Sequence, residues 1–222
     1  MLKIYGVPIS VHTRKVIVAA IAKDLPHEVV PVVPVVPGNL PANWRDLSPT
    51  GKIPALSDGD FTVEDSAAIC AYLERLQPKP SLYPRDAKAY ARTLALEQYA
   101  GTLFREVVHP LFHETVVHPK IRNIPTDSAR VNDVLTYALP EHFGHLDRQR
   151  WGTELDVAQI AVVSNLVTFQ YIGYDPRWGE HPNLAALFER VVAHPAMAEA
   201  LRREQPAVAS MGLDAAFLAE HV

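Results

Sequence analysis

The sequence predicts an α+β unit with a βαβ then ββα order, followed by an all-α helical bundle. Three observations carry that reading. Short apolar stretches with strand alternation are separated by helical periodicity in the first part of the chain. A proline-stiffened segment, Gln77-Pro78-Lys79-Pro80-Ser81-Leu82-Tyr83-Pro84, accompanies a change of composition near residue 80. Beyond it, apolar residues recur at helical spacing and no strand pattern interrupts them. A chain of 222 residues buries a sizeable core without disulfides or metals. The expected organisation is therefore a first unit over 1–77, a linker over 78–85 and a helical unit over 86–222.

Taken in order, Leu2 to Tyr5 alternates as a strand, and Gly6-Val7-Pro8-Ile9 breaks it before a helix from about Ser10 to Lys23. Asp24-Leu25-Pro26 stops that helix. The β-branched run from His27 to Val33 then pairs with the first strand through the crossover helix, with Pro31 and Pro34 making it short or an edge. From Pro34 to Pro41 the prolines are too dense for a regular element, which leaves a covering loop, and Pro41 to Leu47 fits at most two helical turns. Ser57-Asp58-Gly59-Asp60 is a hairpin signal, and Asp65 to Leu76 is a helix with an acidic and hydroxyl start. Helices are then expected over Asp86 to about His109, Thr126 to about Leu146, Thr153 to about Tyr171 and Asn183 to His194, with a last short one from Ala196. Thr153 and Asp156 have the spacing of a capping box for the most apolar of these.

Pro54, between Ile53 and a strand-like run, sits where sheet rules exclude proline because a ladder donor is missing. A cis Ile53-Pro54 bond turns the backbone and leaves the Ile53 amide and carbonyl free to pair with an extended ligand. Pro49-Thr50-Gly51-Lys52-Ile53-Pro54, followed by Asp65-Ser66-Ala67-Ala68-Ile69, resembles the paired motifs of the N-terminal half of glutathione transferases. The resemblance implies a thioredoxin-like N-terminal domain and an all-helical C-terminal domain. It also implies glutathione as co-substrate, a small hydrophobic electrophile as second substrate, and a homodimer.

Pro8-Ile9-Ser10-Val11-His12-Thr13-Arg14-Lys15-Val16 is similar to the serine-type, phi/theta-like members, which places the catalytic hydroxyl on Ser10. A free thiol titrates near ~8.5 and is mostly protonated at neutral pH. A hydroxyl donor at a helix N-terminus lowers that value. The bland alternative is an ordinary N-cap, since serine leads there; Thr13 is the second candidate and His12 a third. Tyr5, by its alternation with Ile4, is assigned to packing.

The same resemblance gives Ile53 to the cysteinyl part of glutathione, Asp65 and Ser66 to its γ-glutamyl end (with Glu64 the one-residue alternative), and Lys52 to a ligand carboxylate. Where the phi-like pattern has a histidine and a lysine for the glycyl carboxylate, this chain has Asn39 and Leu40, so only Asn39 can donate there. The second-substrate pocket is expected to include Val11, His12, Phe104, Val108, His109, Phe112 and His113. His109, His113 and His118 lack the acid of an HExxH pattern, so no metal and no resident cofactor is expected.

The net charge of −4, with no clustered Lys/Arg face, argues against nucleic acid or an anionic membrane as partner. A single cysteine, Cys70, forms no internal disulfide and reads as a small buried hydrophobe, which fits a reducing cytoplasm. The first residues lack a charged leader and no 18-residue apolar run occurs, so a soluble, unexported protein is expected. Arg92 and Glu97 are candidate charges for a dimer seam, with a solvated face as the default. An enzyme that uses glutathione thiolate against an electrophile or a hydroperoxide is the leading function. A non-catalytic binding protein and a glutathione-dependent isomerase are the alternatives; the double-serine and cysteine signature of the isomerase is absent from Ile9 to Thr13.

Overall fold

The computed structural model describes residues 1–36 and 38–220. Pro37, within the expected covering loop, and His221 and Val222, at the end of the expected helical unit, lie outside the described residues. The N-terminal elements are β1 (Leu2–Tyr5), α1 (Val11–Ala22), β2 (His27–Val30), α2 (Trp44–Leu47), β3 (Ala55–Asp58), β4 (Phe61–Glu64) and α3 (Ser66–Leu76). Their sheet has the order β2-β1-β3-β4. β1 and β2 are parallel, with Ile4 opposite Val29, as a crossover helix requires. β3 runs antiparallel to β1, with Leu56 opposite Ile4, and forms the predicted hairpin with β4, whose turn carries Gly59 at φ 61°. β2 stops at Val30 rather than Val33, because Pro31 has no N–H to continue the ladder. This is the thioredoxin-like layout.

α1 is buried almost all round. One side meets the sheet and α3, where Ile4, Leu56, Val16, Ile17, Ile69 and Leu73 share a core, and the other meets the helical unit. That unit contains α4 (Ala87–Leu103), α5 (His109–Phe112), α6 (Ser128–Asp133), α7 (Leu139–Asp147), α8 (Val157–Tyr171), α9 (Pro182–Val192) and α10 (Pro195–Ser210). α8 is the hub, with almost every residue buried and α4 and α1 packed on it. Its N-cap is Asp156, whose carboxylate accepts from the Gln159 amide at 2.9 Å. The expected box with Thr153 as cap is therefore corrected: the cap sits three residues later, and the Thr153 carbonyl instead accepts from Arg190.

The largest departure lies after α4. The expected helix ended near His109, before Pro110, yet the rod continues through a π turn (Phe104–Val108), α5 and a π stretch (His113–Arg122). A third π turn (Val134–Ala138) joins α6 to α7. Each has a proline inside it or just beyond: Pro110, Pro119 and Pro140. Proline neither donates to the carbonyl four residues earlier nor tolerates its closeness. Those carbonyls belong to Glu106, Thr115 and Thr136, all inside the π segments, where the wider i→i+5 turn relieves the clash and the rod survives. α10, expected to be short, runs to Ser210 because its Leu201, Glu204 and Val208 face the core.

Candidate active site

A cavity of about 960 Å³ opens between the sheet unit and the α4–α5 rod. Ser10, at the N-cap of α1 with extended backbone (φ −67°, ψ 129°), lines it, and its side chain makes no capping hydrogen bond. The hydroxyl is thus free for a ligand beside the unpaired first-turn amides of α1. Thr13 is fully buried, its hydroxyl has no partner and it faces Gly6, where even a Cβ would come within 2.5 Å of Oγ1. Thr13 is not on the cavity wall, and neither is Tyr5, which packs against Trp44 with ring centroids 6.5 Å apart.

Across the cavity from α1, the Ile53-Pro54 bond is cis, as expected, and Ile53 and Pro54 line the wall. Neither the amide nor the carbonyl of Ile53 has a partner among the described residues. Asp65 caps α3, its carboxylate accepting from the Ala67 and Ala68 amides at 2.8 and 3.2 Å. It does so at φ 75°, a backbone region that costs a non-glycine residue of order 1–3 kcal/mol. That strain turns Asp65 and the buried Ser66 to the cavity. Glu64 also reaches the wall, but its carboxylate is committed to the Ser48 hydroxyl at 2.5 Å and to the Thr50 amide and hydroxyl. Burial raises the Glu64 pKa, and these hydrogen bonds more than offset it, so the group sits below its ordinary value. Glu64 thereby closes the loop that presents Lys52.

Two further charges lie in the cavity floor. Lys15 Nζ is 2.5 Å from Glu97 Oε1 and donates to Ser66 Oγ at 3.4 Å, and both lysine and glutamate are buried. Glu97 is therefore an internal partner of α1 and not a seam charge. Behind them Arg14, fully buried, donates from Nε to Glu204 of α10, from Nη1 to Ser164 O and Thr168 Oγ1 of α8, and from Nη2 to Ile9 O beside Ser10. Tyr171 Oη donates to the same Glu204 at 2.6 Å. This network ties the Ser10 turn to the helical unit.

Of the expected pocket residues, Val11, His12, Phe104, His109, Phe112 and His113 line the cavity. Val108 does not: it is fully buried against the core. Asn39 is not brought to the cavity either, because its Oδ1 accepts the Val33 amide at 2.7 Å and closes its own loop. Val33, Pro34 and Val35 form that end of the wall instead. Lys15, Glu97, Val117, Ile121 and Met211 were missed. A signal existed for two of them, since His109, His113, Val117 and Ile121 recur every four residues, but it is visible only if the helix passes Pro110. No group of three or more His, Cys, Asp or Glu with a metal-binding arrangement occurs among the described residues. No helix among them is long and apolar enough to cross a membrane. Cys70 is fully buried, and burial pushes its thiol up to about 12.

The fold and cavity define a class: a thioredoxin-like sheet unit set against a helical unit, with a cleft between them whose sheet side offers backbone and helix-end contacts. The glutathione S-transferase N-terminal domain family matches residues 4–81. Glutathione S-transferase 3 of Zea mays is 30% identical over 88% of this chain and 90% of its own length. The structure of the human glutathione S-transferase T1-1 apo form superposes with a TM-score of 0.83 at 25% identity, over 95% of this chain and 90% of that one. A glutathione S-transferase from Rhodospirillum rubrum F11 gives 0.78 at 28% identity, over 90% and 92%. The chain belongs to the glutathione S-transferase family.

Proposed function

We propose that the protein ionises the thiol of glutathione and delivers the thiolate to a small hydrophobic electrophile, with hydroperoxide reduction as a further use of the same thiolate. One observation carries this reading. Ser10 holds a helix-cap position without capping and shares a cavity with an Ile53 backbone that has no partner. An extended thiol peptide paired on Ile53 lays its sulfur toward Ser10 and its γ-glutamyl ammonium toward Asp65, while Ser66 donates to the carboxylate and Lys52 serves the other end. The Ser10 O–H and the α1 amides stabilise the thiolate relative to the thiol, lowering its pKa from ~8.5 toward neutrality. No metal or redox group is required by this chemistry.

A homodimer fits the exposed Phe61 ring, which leans on the half-buried Tyr72 ring with centroids 4.9 Å apart. Detoxification in the cytoplasm is the corresponding setting. The test is conjugation of glutathione to an aromatic electrophile by the parent and by Ser10→Ala. The variant is expected to bind glutathione and to lose about 100- to 1000-fold in kcat, the usual loss for one oxyanion-type donor. Absence of glutathione binding by the parent at millimolar concentration sinks the enzyme reading. Normal turnover by Ser10→Ala sinks the assignment of the hydroxyl alone.

A further inference from the structure

The stretch of cavity that runs along Ile53 has two ends, and they are built unequally. At one end the strained Asp65 and the buried Ser66 face the cavity, and Lys15, paired with Glu97, donates to the Ser66 hydroxyl from the floor. The other end is walled by Val33, Pro34 and Val35 of the covering loop and by Thr50, Gly51 and Lys52 ahead of the cis bond. Most donors of these two segments are turned inward. Asn39 Oδ1 accepts the Val33 amide at 2.7 Å, and Pro34 has no N–H. Glu64 accepts from the Thr50 amide and hydroxyl, Ser48 O accepts the Gly51 amide at 2.8 Å, and Thr50 Oγ1 accepts the Lys52 amide at 3.3 Å. Arg45 is not on the wall, since its guanidinium packs against Gly51 and donates to Pro49 O at 2.9 Å. What these segments leave for an anion is the Val35 amide and the ammonium of Lys52, an exposed side chain with no ion-pair partner among the described residues.

A carboxylate placed at this second end gains an exposed ion pair with Lys52. Such pairs are screened by water and salt and contribute at most a factor of about 5 in affinity. Against that gain stands the desolvation of a charge beside Val33, Pro34 and Val35. An amide or ester in place of the carboxylate has no charge to desolvate, and because Val35 and Lys52 are exposed its polar atoms, donor and acceptor alike, stay in reach of water. We infer that the protein recognises its thiol by the γ-glutamylcysteinyl half, and that thiols carrying that half with an uncharged third residue, a C-terminal amide or ester, are co-substrates nearly equivalent to glutathione. Lys52 adds a minor, salt-screened preference for a free carboxylate. The inference rests on the glutathione reading and deepens it by naming the class of thiol the site takes. The step at sulfur is the one already described, and the third residue is remote from it.

The test uses the full chain, one aromatic electrophile at fixed concentration, and three thiols: glutathione, its glycyl monoethyl ester, and N-acetylglutathione, in which the γ-glutamyl ammonium is blocked. The measured quantity is kcat/KM for each thiol. The ester is expected within about 5-fold of glutathione, and N-acetylglutathione is expected to fall at least about 10-fold. In Lys52→Met the ratio of glutathione to ester, in which any loss of folded protein cancels, is expected to move toward one, as it should in the parent at about 1 M salt. An ester about 10-fold or more worse than glutathione in the parent overturns the inference while leaving the transferase reading intact, because an exposed pair does not supply that much. N-acetylglutathione used as well as glutathione overturns the assignment of recognition to the γ-glutamylcysteinyl half. A ratio above one that Lys52→Met leaves unmoved overturns the role of Lys52. A parent inactive with glutathione itself overturns the transferase reading on which the inference rests.

Discussion

The two walls of the cavity are built by different means. The sheet-side wall works through backbone and helix ends: the α1 N-terminus at Ser10, the unpaired Ile53 peptide groups and the strained Asp65 at the start of α3. The helical wall works through side-chain bodies, Phe104, His109, Phe112 and His113, on a rod whose turns are widened around prolines. Backbone recognition needs particular residues at particular offsets and leaves a motif. A wall of side chains needs only shape and polarity, and leaves none. The first wall is accordingly suited to one invariant ligand and the second to a variable one.

Arg14 joins the walls, and its loss is expected to have the largest effect. Arg14→Met strands Glu204 in the core and should destabilise the protein by about 3–5 kcal/mol in urea unfolding, whereas Arg14→Met with Glu204→Leu should recover most of it. A single variant within about 1 kcal/mol of the parent would show that the network is not what holds the walls together. Next comes a change confined to the first wall. Asp65→Asn keeps an N-cap and removes the charge. It should raise the KM for glutathione about 10-fold with kcat and the electrophile KM little changed. An equal rise in both KM values would erase the division between the walls.

The smallest effect lies behind the second wall. The buried Glu114 carboxylate accepts the Asp127 amide at 2.9 Å and pairs with His118 at 3.0 Å, and these contacts, the amide first, hold its pKa below the ordinary value. A depressed folded-state value contributes stability that is present above the unfolded pKa and is lost as pH falls through the folded one. Glu114→Gln should cost about 1 kcal/mol at neutral pH, and the cost should vanish at pH values below the glutamate range of ~4. A cost that is the same at both pH values would assign the contribution to packing.

Legibility in the sequence followed the same division. The strands, the hairpin, the start of α3 and the cis bond at Pro54 were readable because each depends on local chemistry. Asn39 was placed at the ligand by counting positions, yet its amide oxygen is spent on Val33, a contact set by the loop's own closure. Val108 was placed in the pocket because the family resemblance puts the second substrate against the first helices of the helical unit, but in the π turn it is buried in the core. The rod beyond Pro110 was lost because proline reads as a stop, and only tertiary packing shows the wider turn that absorbs it. Lys15 and Glu97 are partners 82 residues apart in sequence, which no local pattern reveals.

Cys70, on the buried face of α3, is sealed in the core that α3 shares with α1 and the sheet, and it is the chain's single cysteine. A protein that concentrates alkylating agents beside a thiolate is exposed to suicide by its own substrate. Here the thiol that the chain itself owns is neither ionised nor reachable, so under the proposed chemistry the reactive sulfur in the cleft is glutathione's, which leaves with the product.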